Sequence, residues 1–386
     1  MLEIIKASLW NSGEYLAVDW DTYAEMRMHT ISMLPAAILA NLTMSESLRE
    51  TWKQDIIQSI TNNFQCEYIQ SNIPITVPYA ILKGTTAAQY YPHPEYRLQG
   101  DIDIITKHED FQLACDELLN NGYEESFSHP EEAELGRHRA FIRDNIVVEL
   151  HSFFAMLNNP RKAEYLDNMI ISNINPSHVL PDPVNGLVLL EHINQHLESG
   201  LGLRQVIDWM MFVDKCLPDG KWLEFQDLAK NSGLEKLAIT TTRMCELFLG
   251  LPAREWSAKA DESLCGQLME YILSCGNFGN KRKSDSDIGQ RVFSRARTPK
   301  AVFKLLQERG MVNWRAVEKH PILRPFAWVY QAGRYLMRGF GRDEASTKLR
   351  AEYKAANQRN IMFDALGVQQ TAKGLAVFRN GKYKKK

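Results

Sequence analysis

Several absences narrow what this 386-residue chain is. Its six cysteines, Cys66, Cys115, Cys216, Cys245, Cys265 and Cys275, include no C-x-x-C pair. Their spacing points to neither a thiolate zinc site nor a disulfide framework, and predicts reduced, mostly buried thiols in a cytoplasmic protein. No stretch approaches ~18 uninterrupted apolar residues, so no membrane span is expected. The opening MLEIIKASLWNSGEY lacks a basic start, a long apolar run and a small-residue cleavage site, so no secretion signal is expected. A formal net charge of -2 argues against polyanion binding by bulk charge. His192 and His196 stand at i, i+4, but Ile193 occupies the position where the zinc-protease motif needs glutamate, so that motif is absent. No internal repeat is found.

What is present is the balance of a soluble globular protein, 45% hydrophobic and 24% charged, at a length that predicts two or three domains. Apolar residues recur at helical spacing from Trp20 to Leu42, and Ser45 or Ser47 is positioned to cap a helix running to about Tyr68. From Pro78 the character changes. Tyr79 to Leu82 reads as a buried strand ending at Lys83-Gly84, and Thr85 to Tyr91 as a helix opening from that glycine turn. Asp101 to Ile105 alternates polar and apolar, a strand signal. Glu109 to Asn120 is a helix, and His138 to Arg143 with Ile146 to His151 flank Asp144-Asn145 as a tight hairpin. Beyond Pro160 the pattern is helical, with segments at Pro183–Leu197, Leu203–Cys216 and Gly233–Phe248. The expected organisation is a helical segment over 1–75, an α/β core over 76–155, a helical domain over 156–280 forming the other side of a cleft, and a basic linker with a helical region over 281–386.

The chemistry is concentrated in the core. Asp101 and Asp103 are two apart on a strand, so both carboxylates face one side while Ile102 and Ile104 face the other. Two ionised carboxylates this close repel each other, and a divalent cation removes that cost. Glu149 and His151 share one face of the later hairpin strand, and a charged residue amid Val147, Val148 and Leu150 needs a partner. If that strand lies beside the aspartate strand, the three acids converge on a one- or two-metal phosphate site. The Gly84-Thr85-Thr86 turn opens a helix, a position whose backbone N–H groups suit phosphate. Lys83 and Arg97 bring positive charge to the same neighbourhood.

These residues carry a resemblance. Leu82-Lys83-Gly84, Arg97-x-x-Gly100-Asp101-Ile102-Asp103-Ile104 and Val148-Glu149-Leu150-His151 are similar to the motifs of the bacterial nucleotidyltransferase family within the DNA polymerase beta-type superfamily. The segments His192-Ile193-Asn194-Gln195-His196 and Gly202-Leu203-Arg204-Gln205-Val206-Ile207-Asp208-Trp209 resemble two later segments of that family. The resemblance spans roughly residues 30–270. It implies an α+β fold with a small mixed sheet, flanking helices and mainly helical terminal regions. It implies Mg2+ (or Mn2+) on Asp101, Asp103 and Glu149, with Glu149 as ligand or base. The substrate NTP, ATP among the candidates, would have its phosphates on Gly84 and Thr85, and Lys83, Arg97, Arg204 and Asp208 would line the nucleotide cleft. The chain departs from the superfamily pattern in the longer stretch between Thr85 and Asp101, and in having Thr-Thr after the glycine where Ser or Gly is commoner.

Each signal also has a plainer reading. His151 fits a site role or a satisfied hydrogen-bonding residue at a strand end. His192 and His196 fit packing or hydrogen-bonding histidines, and Arg204 and Asp208 fit an i, i+4 pair along a helix. Trp209, Met210, Met211 and Phe212 read as core. Lys281-Arg282-Lys283 with Arg291, Arg295, Arg297 and Lys300 offers a nucleic-acid contact, but Asp285 and Asp287 interrupt it, which favours a solvated linker. Two further functional readings remain beside nucleotidyl transfer to an unidentified acceptor. One is a catalytically silent nucleotide-binding or scaffold protein of the same fold, and the other a nucleic-acid-associated protein acting through the basic C-terminal region.

Overall fold

A computed structural model describes residues 1–10, 13–126, 137–282, 299–314, 316–339, 345–368, 376–379 and 382–385. The chain forms two compact units, one of residues 1–280 with the C-terminal hairpin, the other of residues 281–366.

The first unit opens with α1 (Leu2–Trp10), β1 (Leu16–Ala17), α2 (Trp20–Met28) and β2 (Leu42–Thr43), which pairs in parallel with β1. Asp19 caps α2, its carboxylate accepting the Thr22 N–H at 2.8 Å. The single helical stretch expected from Trp20 to Leu42 is broken. Thr30 adopts φ +57°, and Pro35 sits in the first turn of a 3-10 segment, Leu34–Asn41. Proline lacks an N–H and clashes with the preceding turn, so apolar spacing alone could not carry one helix through it. α3 (Glu46–Ser71) follows, capped by Ser45, whose hydroxyl accepts the Leu48 N–H. It is anchored by the buried Trp52, whose indole N–H donates to the Ser32 carbonyl at 2.7 Å.

The core consists of β3 (Tyr79–Leu82), α4 (Thr85–Ala88), β4 (Ile102–Thr106), α5 (Phe111–Asn120), β5 (Glu124–Ser126), β6 (His138–Arg143) and β7 (Ile146–His151). The sheet order is β3-β4-β7-β6-β5, with β4 and β7 parallel and the other pairs antiparallel. This is the expected α+β architecture with a mixed sheet. Asp144 and Asn145, at φ +50° and +63°, make the two-residue turn between β6 and β7, a conformation that short polar side chains tolerate. Alternation then sorts the side chains by face. Ile102, Ile104, Val148, Leu150 and Phe141 join Cys66 and Ile69 of α3 and Ala114, Cys115 and Leu118 of α5 in one apolar cluster. Asp103 and Glu149 therefore project from the other face.

A helical layer follows: α6 (Pro160–Ser172), α7 (Asp182–Leu197), α8 (Leu203–Cys216), α9 (Trp222–Ser232), α10 (Glu235–Leu249) and α11 (Glu262–Cys275). α7 and α8 are buried around most of their circumference. They approach closely at Gly186, where a Cβ would collide with the Phe212 ring. Trp209, Met210, Met211 and Phe212 are core, and the Trp209 indole donates to Thr242 Oγ1 at 2.9 Å. The hairpin β8 (Ala376–Arg379) and β9 (Lys382–Lys385) packs on α6.

The second unit contains α12 (Pro299–Asn313), α13 (Ala316–Lys319), α14 (Ala327–Gly339) and α15 (Ala345–Ala365), with α12 and α14 packed together. Of the basic stretch, Lys281 and Arg282 end a 3-10 segment and Lys300 lies on α12, whereas Lys283, Asp285, Asp287, Arg291, Arg295 and Arg297 lie outside the described residues. Among the described residues no helix is long and apolar enough to cross a membrane.

Candidate active site

Strand register brings the acids together. Asp103 stands beside Leu82 of β3 on one side and Glu149 of β7 on the other, while His151 pairs with Ile105 one step along the same face. The His151 Nε2 lies 3.0 Å from Asp103 Oδ1 and 3.6 Å from Glu149 Oε2. On the neighbouring strand, His138 pairs with His151 in register, and its Nε2 is 3.8 Å from Glu149 Oε1. One donor atom each from Asp103, Glu149 and His151 falls within 4.8 Å of the others. Burial alone would push the Glu149 carboxyl up, but hydrogen bonding from His151 and its charge outweigh that and hold it below the usual range. For His151 the corresponding contest is between burial, which lowers it, and the hydrogen bonds to Asp103 and Glu149, which raise it above the ordinary imidazole value.

Asp101 occupies a different position. The strand begins at Ile102, so Asp101 sits just outside it and is exposed. Its charge acts on Lys83 and Glu149, but it is not one of the three groups in the tight cluster.

The turn between β3 and α4 is conformationally demanding. Lys83 has φ +57° and Gly84 φ +51° with ψ -119°. A Cβ on Gly84 would be strained in its backbone and would touch Gln99 Oε1 at 3.5 Å. The N–H groups of Thr86, Ala87 and Ala88 bond the Lys83 and Gly84 carbonyls inside the turn. Thr85 Oγ1 donates to Gln70 of α3 at 2.9 Å, and Thr86 Oγ1 turns inward to the Lys83 carbonyl at 2.7 Å. The Lys83 ammonium stands 2.8 Å from Asp103 Oδ2. Burial would lower its pKa, but Asp103, Asp101 and Glu149 together raise it.

Helices α7 and α8 of the helical layer pack against α4. Arg97 and Asp208 are paired with each other. Arg97 Nε and Nη2 each reach an oxygen of Asp208 at 2.7 Å, Tyr91 OH donates to the same carboxylate at 2.7 Å, and both charged residues are buried. Asp208 thus bonds Arg97 and not the Arg204 one turn before it. Arg204 donates Nη1 to the Leu98 carbonyl at 3.1 Å, and among the described residues its buried Nε has no hydrogen-bond partner. Its guanidinium lies against Gly100, immediately before Asp101. Burial and then the charge of Arg97 lower the Arg204 pKa. His192 and His196 stack edge to face on α7 with centroids 4.7 Å apart. Burial, followed by the charge of Lys83, pushes His192 well down and His196 down to about 3. One residue before His192, the fully buried Glu191 accepts the Met156 N–H at 2.7 Å and the Asn194 amide at 3.0 Å, and burial raises its carboxyl to about 7.

Some contributors escape a reading of the sequence. Asn63 of α3 donates to the Glu95 and Arg97 carbonyls at 3.0 and 2.9 Å and accepts the Gln99 N–H at 2.9 Å, so the N-terminal helix shapes the loop that leads into Asp101. No local pattern marks an asparagine that bonds a loop more than thirty residues away. His138 was legible in principle, because counting back from the Asp144-Asn145 turn places it opposite His151.

A family model described as an uncharacterised nucleotidyltransferase matches residues 17–250. The chain belongs to that family. No curated protein and no solved structure matches it. The match covers the sheet, the acid cluster and the helical wall through α10, so the residues described above are those of a nucleotidyltransferase family domain. A divalent metal fits this donor set. Two carboxylates in adjacent register and an imidazole nitrogen converge within one ion's reach on the face opposite the apolar cluster.

Proposed function

We propose that this member of the family transfers a nucleoside monophosphate from an NTP to an acceptor, releasing pyrophosphate. The observation that carries the reading is the lateral pairing of the buried Asp103 with the partly exposed Glu149 on β4 and β7, with His151 between them. Asp103 and Glu149 would hold Mg2+ or Mn2+, with Asp101 at the exposed rim as a further ligand. A bound divalent ion supplies charge stabilisation for the phosphate under attack and the leaving pyrophosphate.

The chain's own groups divide the remaining work. Lys83, Gly84 and Thr85 would face the triphosphate from the β3–α4 turn, and Arg204 would offer the part of its guanidinium not bonded to the Leu98 carbonyl. Glu149, partly exposed where Asp103 is not, is the acid placed to accept a proton from an acceptor hydroxyl. Arg97 and Asp208 contribute as a mutual clamp that fixes α8 against the loop before Asp101, and not as direct nucleotide ligands. His151 holds the two carboxylates in their mutual orientation. Six free cysteines suit a reducing, cytoplasmic setting.

The test is incubation of the full chain with each labelled NTP, Mg2+ or Mn2+, and a cell extract, followed by identification of the labelled product. Label should appear with wild type and vanish with Asp103→Asn and Glu149→Gln. Equal labelling by those variants would refute the assignment.

A further inference from the structure

We propose that Lys83 is the internal counter-cation of the acid cluster, and that the divalent ion enters as its complex with a nucleoside triphosphate, Lys83 exchanging Asp103 for a phosphate oxygen as it does so. This rests on the reading of the cluster as a metal–nucleotide site given above.

Both oxygens of Asp103 have partners within the chain. Oδ2 faces the Lys83 ammonium at 2.8 Å, and Oδ1 faces His151 Nε2 at 3.0 Å. The carboxylate is only 2% exposed, so a divalent ion that takes Asp103 as a ligand competes with these partners for its oxygens. His151 is the less mobile of the two. Its ring belongs to β7, is 1% exposed, and is shared with Glu149. Lys83 lies just past the end of β3 on a backbone at φ +57°, and its four-carbon stem retains 12% exposure.

The exchange needs somewhere for the ammonium to go. A bare divalent ion that takes Asp103 costs the largely buried ammonium its nearest anion, which is unfavourable. An ion that arrives with a triphosphate brings the replacement anion with it. The next residues in the chain, Gly84 and Thr85, form the turn proposed above for the phosphates, so the new partner lies within the reach of the same side chain. Charges balance in the exchange: the ammonium leaves a carboxylate oxygen, the cation takes it, and a phosphate oxygen takes the ammonium. No covalent bond changes. The competing destination is Asp101, whose charge also acts on Lys83. If Lys83 moved there, the bare ion would bind as well as the complex, which the experiment reads directly.

The experiment uses the full chain as wild type, Lys83→Met and Lys83→Gln, each with wild-type circular dichroism. Mn2+ binding is followed by calorimetry and by electron paramagnetic resonance, alone and with a non-hydrolysable ATP analogue. Wild type should bind Mn2+ at least about tenfold more tightly with the analogue than without it, a coupling of ordinary size. Both Lys83 variants should bind Mn2+ alone about tenfold more tightly than wild type does, with the nucleotide's enhancement reduced. Unchanged or weaker binding of Mn2+ alone in both variants overturns the proposal, as does equal wild-type affinity with and without the analogue. Asp103→Asn separates the two levels of the argument. If it binds Mn2+ and the analogue as wild type does, the metal–nucleotide reading itself fails. If it loses them while the Lys83 variants bind Mn2+ alone no more tightly than wild type, only the exchange fails.

Discussion

Asp103 has a strand on either side of it, an ammonium on one oxygen and an imidazole on the other. Replacing it by asparagine keeps the shape and removes the charge that a cation and Lys83 both use. Nucleotide turnover should fall by about 10²–10³-fold or more, the scale on which a preorganised electrostatic partner acts, measured as release of labelled pyrophosphate. Glu149→Gln should fall comparably, whereas His138→Asn, one strand further out, should retain most of the activity. At this scale the sequence was informative about residue type. The D-x-D strand and the later glutamate stood out because carboxylates set among the apolar residues of a strand are costly without a partner. The register that places Glu149 beside Asp103 and leaves Asp101 at the exposed rim was not visible, since it depends on where β4 begins and how β7 pairs with it.

Among the elements, α8 and the loop of residues 92–100 depend on one buried ion pair. Asp208→Ala would leave Arg97 charged, buried and deprived of both its short bonds, and should cost about 3–5 kcal/mol in urea-denaturation stability. The double replacement of Arg97 by Met and Asp208 by Leu should recover a large part of that loss, because apolar packing costs no charge burial. A double variant as unstable as the single one would show that the pair does more than neutralise itself. Asn63→Ala should cost about 2–3 kcal/mol by stranding the Glu95 and Arg97 carbonyls and the Gln99 N–H, and should loosen the loop entering β4. Thermal unfolding measures the first effect and amide exchange at residues 95–100 the second. The helices and strands themselves were largely legible. The β6–β7 hairpin and α8 stand where turn chemistry and apolar periodicity put them, because those signals are local. The stretch from Trp20 was misread because its apolar spacing continued through Thr30 and Pro35, where the backbone could not.

For the molecule as a whole, the buried Glu191 makes stability depend on pH in a recognisable direction. The unfolded carboxyl releases its proton near 4.5 and the folded one near 7. Between those values the folded state keeps a proton that the unfolded state has lost. The unfolded state thus binds fewer protons, and stability falls as pH rises across that window, by at most about 3 kcal/mol. Glu191→Gln should remove this component, so the difference in melting temperature between variant and wild type should grow in favour of the variant from pH 5 to pH 7.5. His196, pushed down to about 3, acts oppositely: its contribution is present above pH 6.5 and is lost as pH falls toward 3. The variant-minus-wild-type comparison cancels that part.

Taken alone, the sequence determined the central strands and the main helices of the layer beyond Pro160, which carboxylates are candidates for a cation, and which family's motifs the chain carries. Each of these is written in local spacing, in turn residues or in short motifs. Only the tertiary structure decided that Arg97 pairs with Asp208, that Arg204 reaches the Leu98 carbonyl, and that Lys83 and His151 share the two oxygens of Asp103. Those pairings join residues tens to more than a hundred positions apart. A charged side chain's partner is set by which strand or helix folds next to it, and nothing in its local sequence encodes that neighbour.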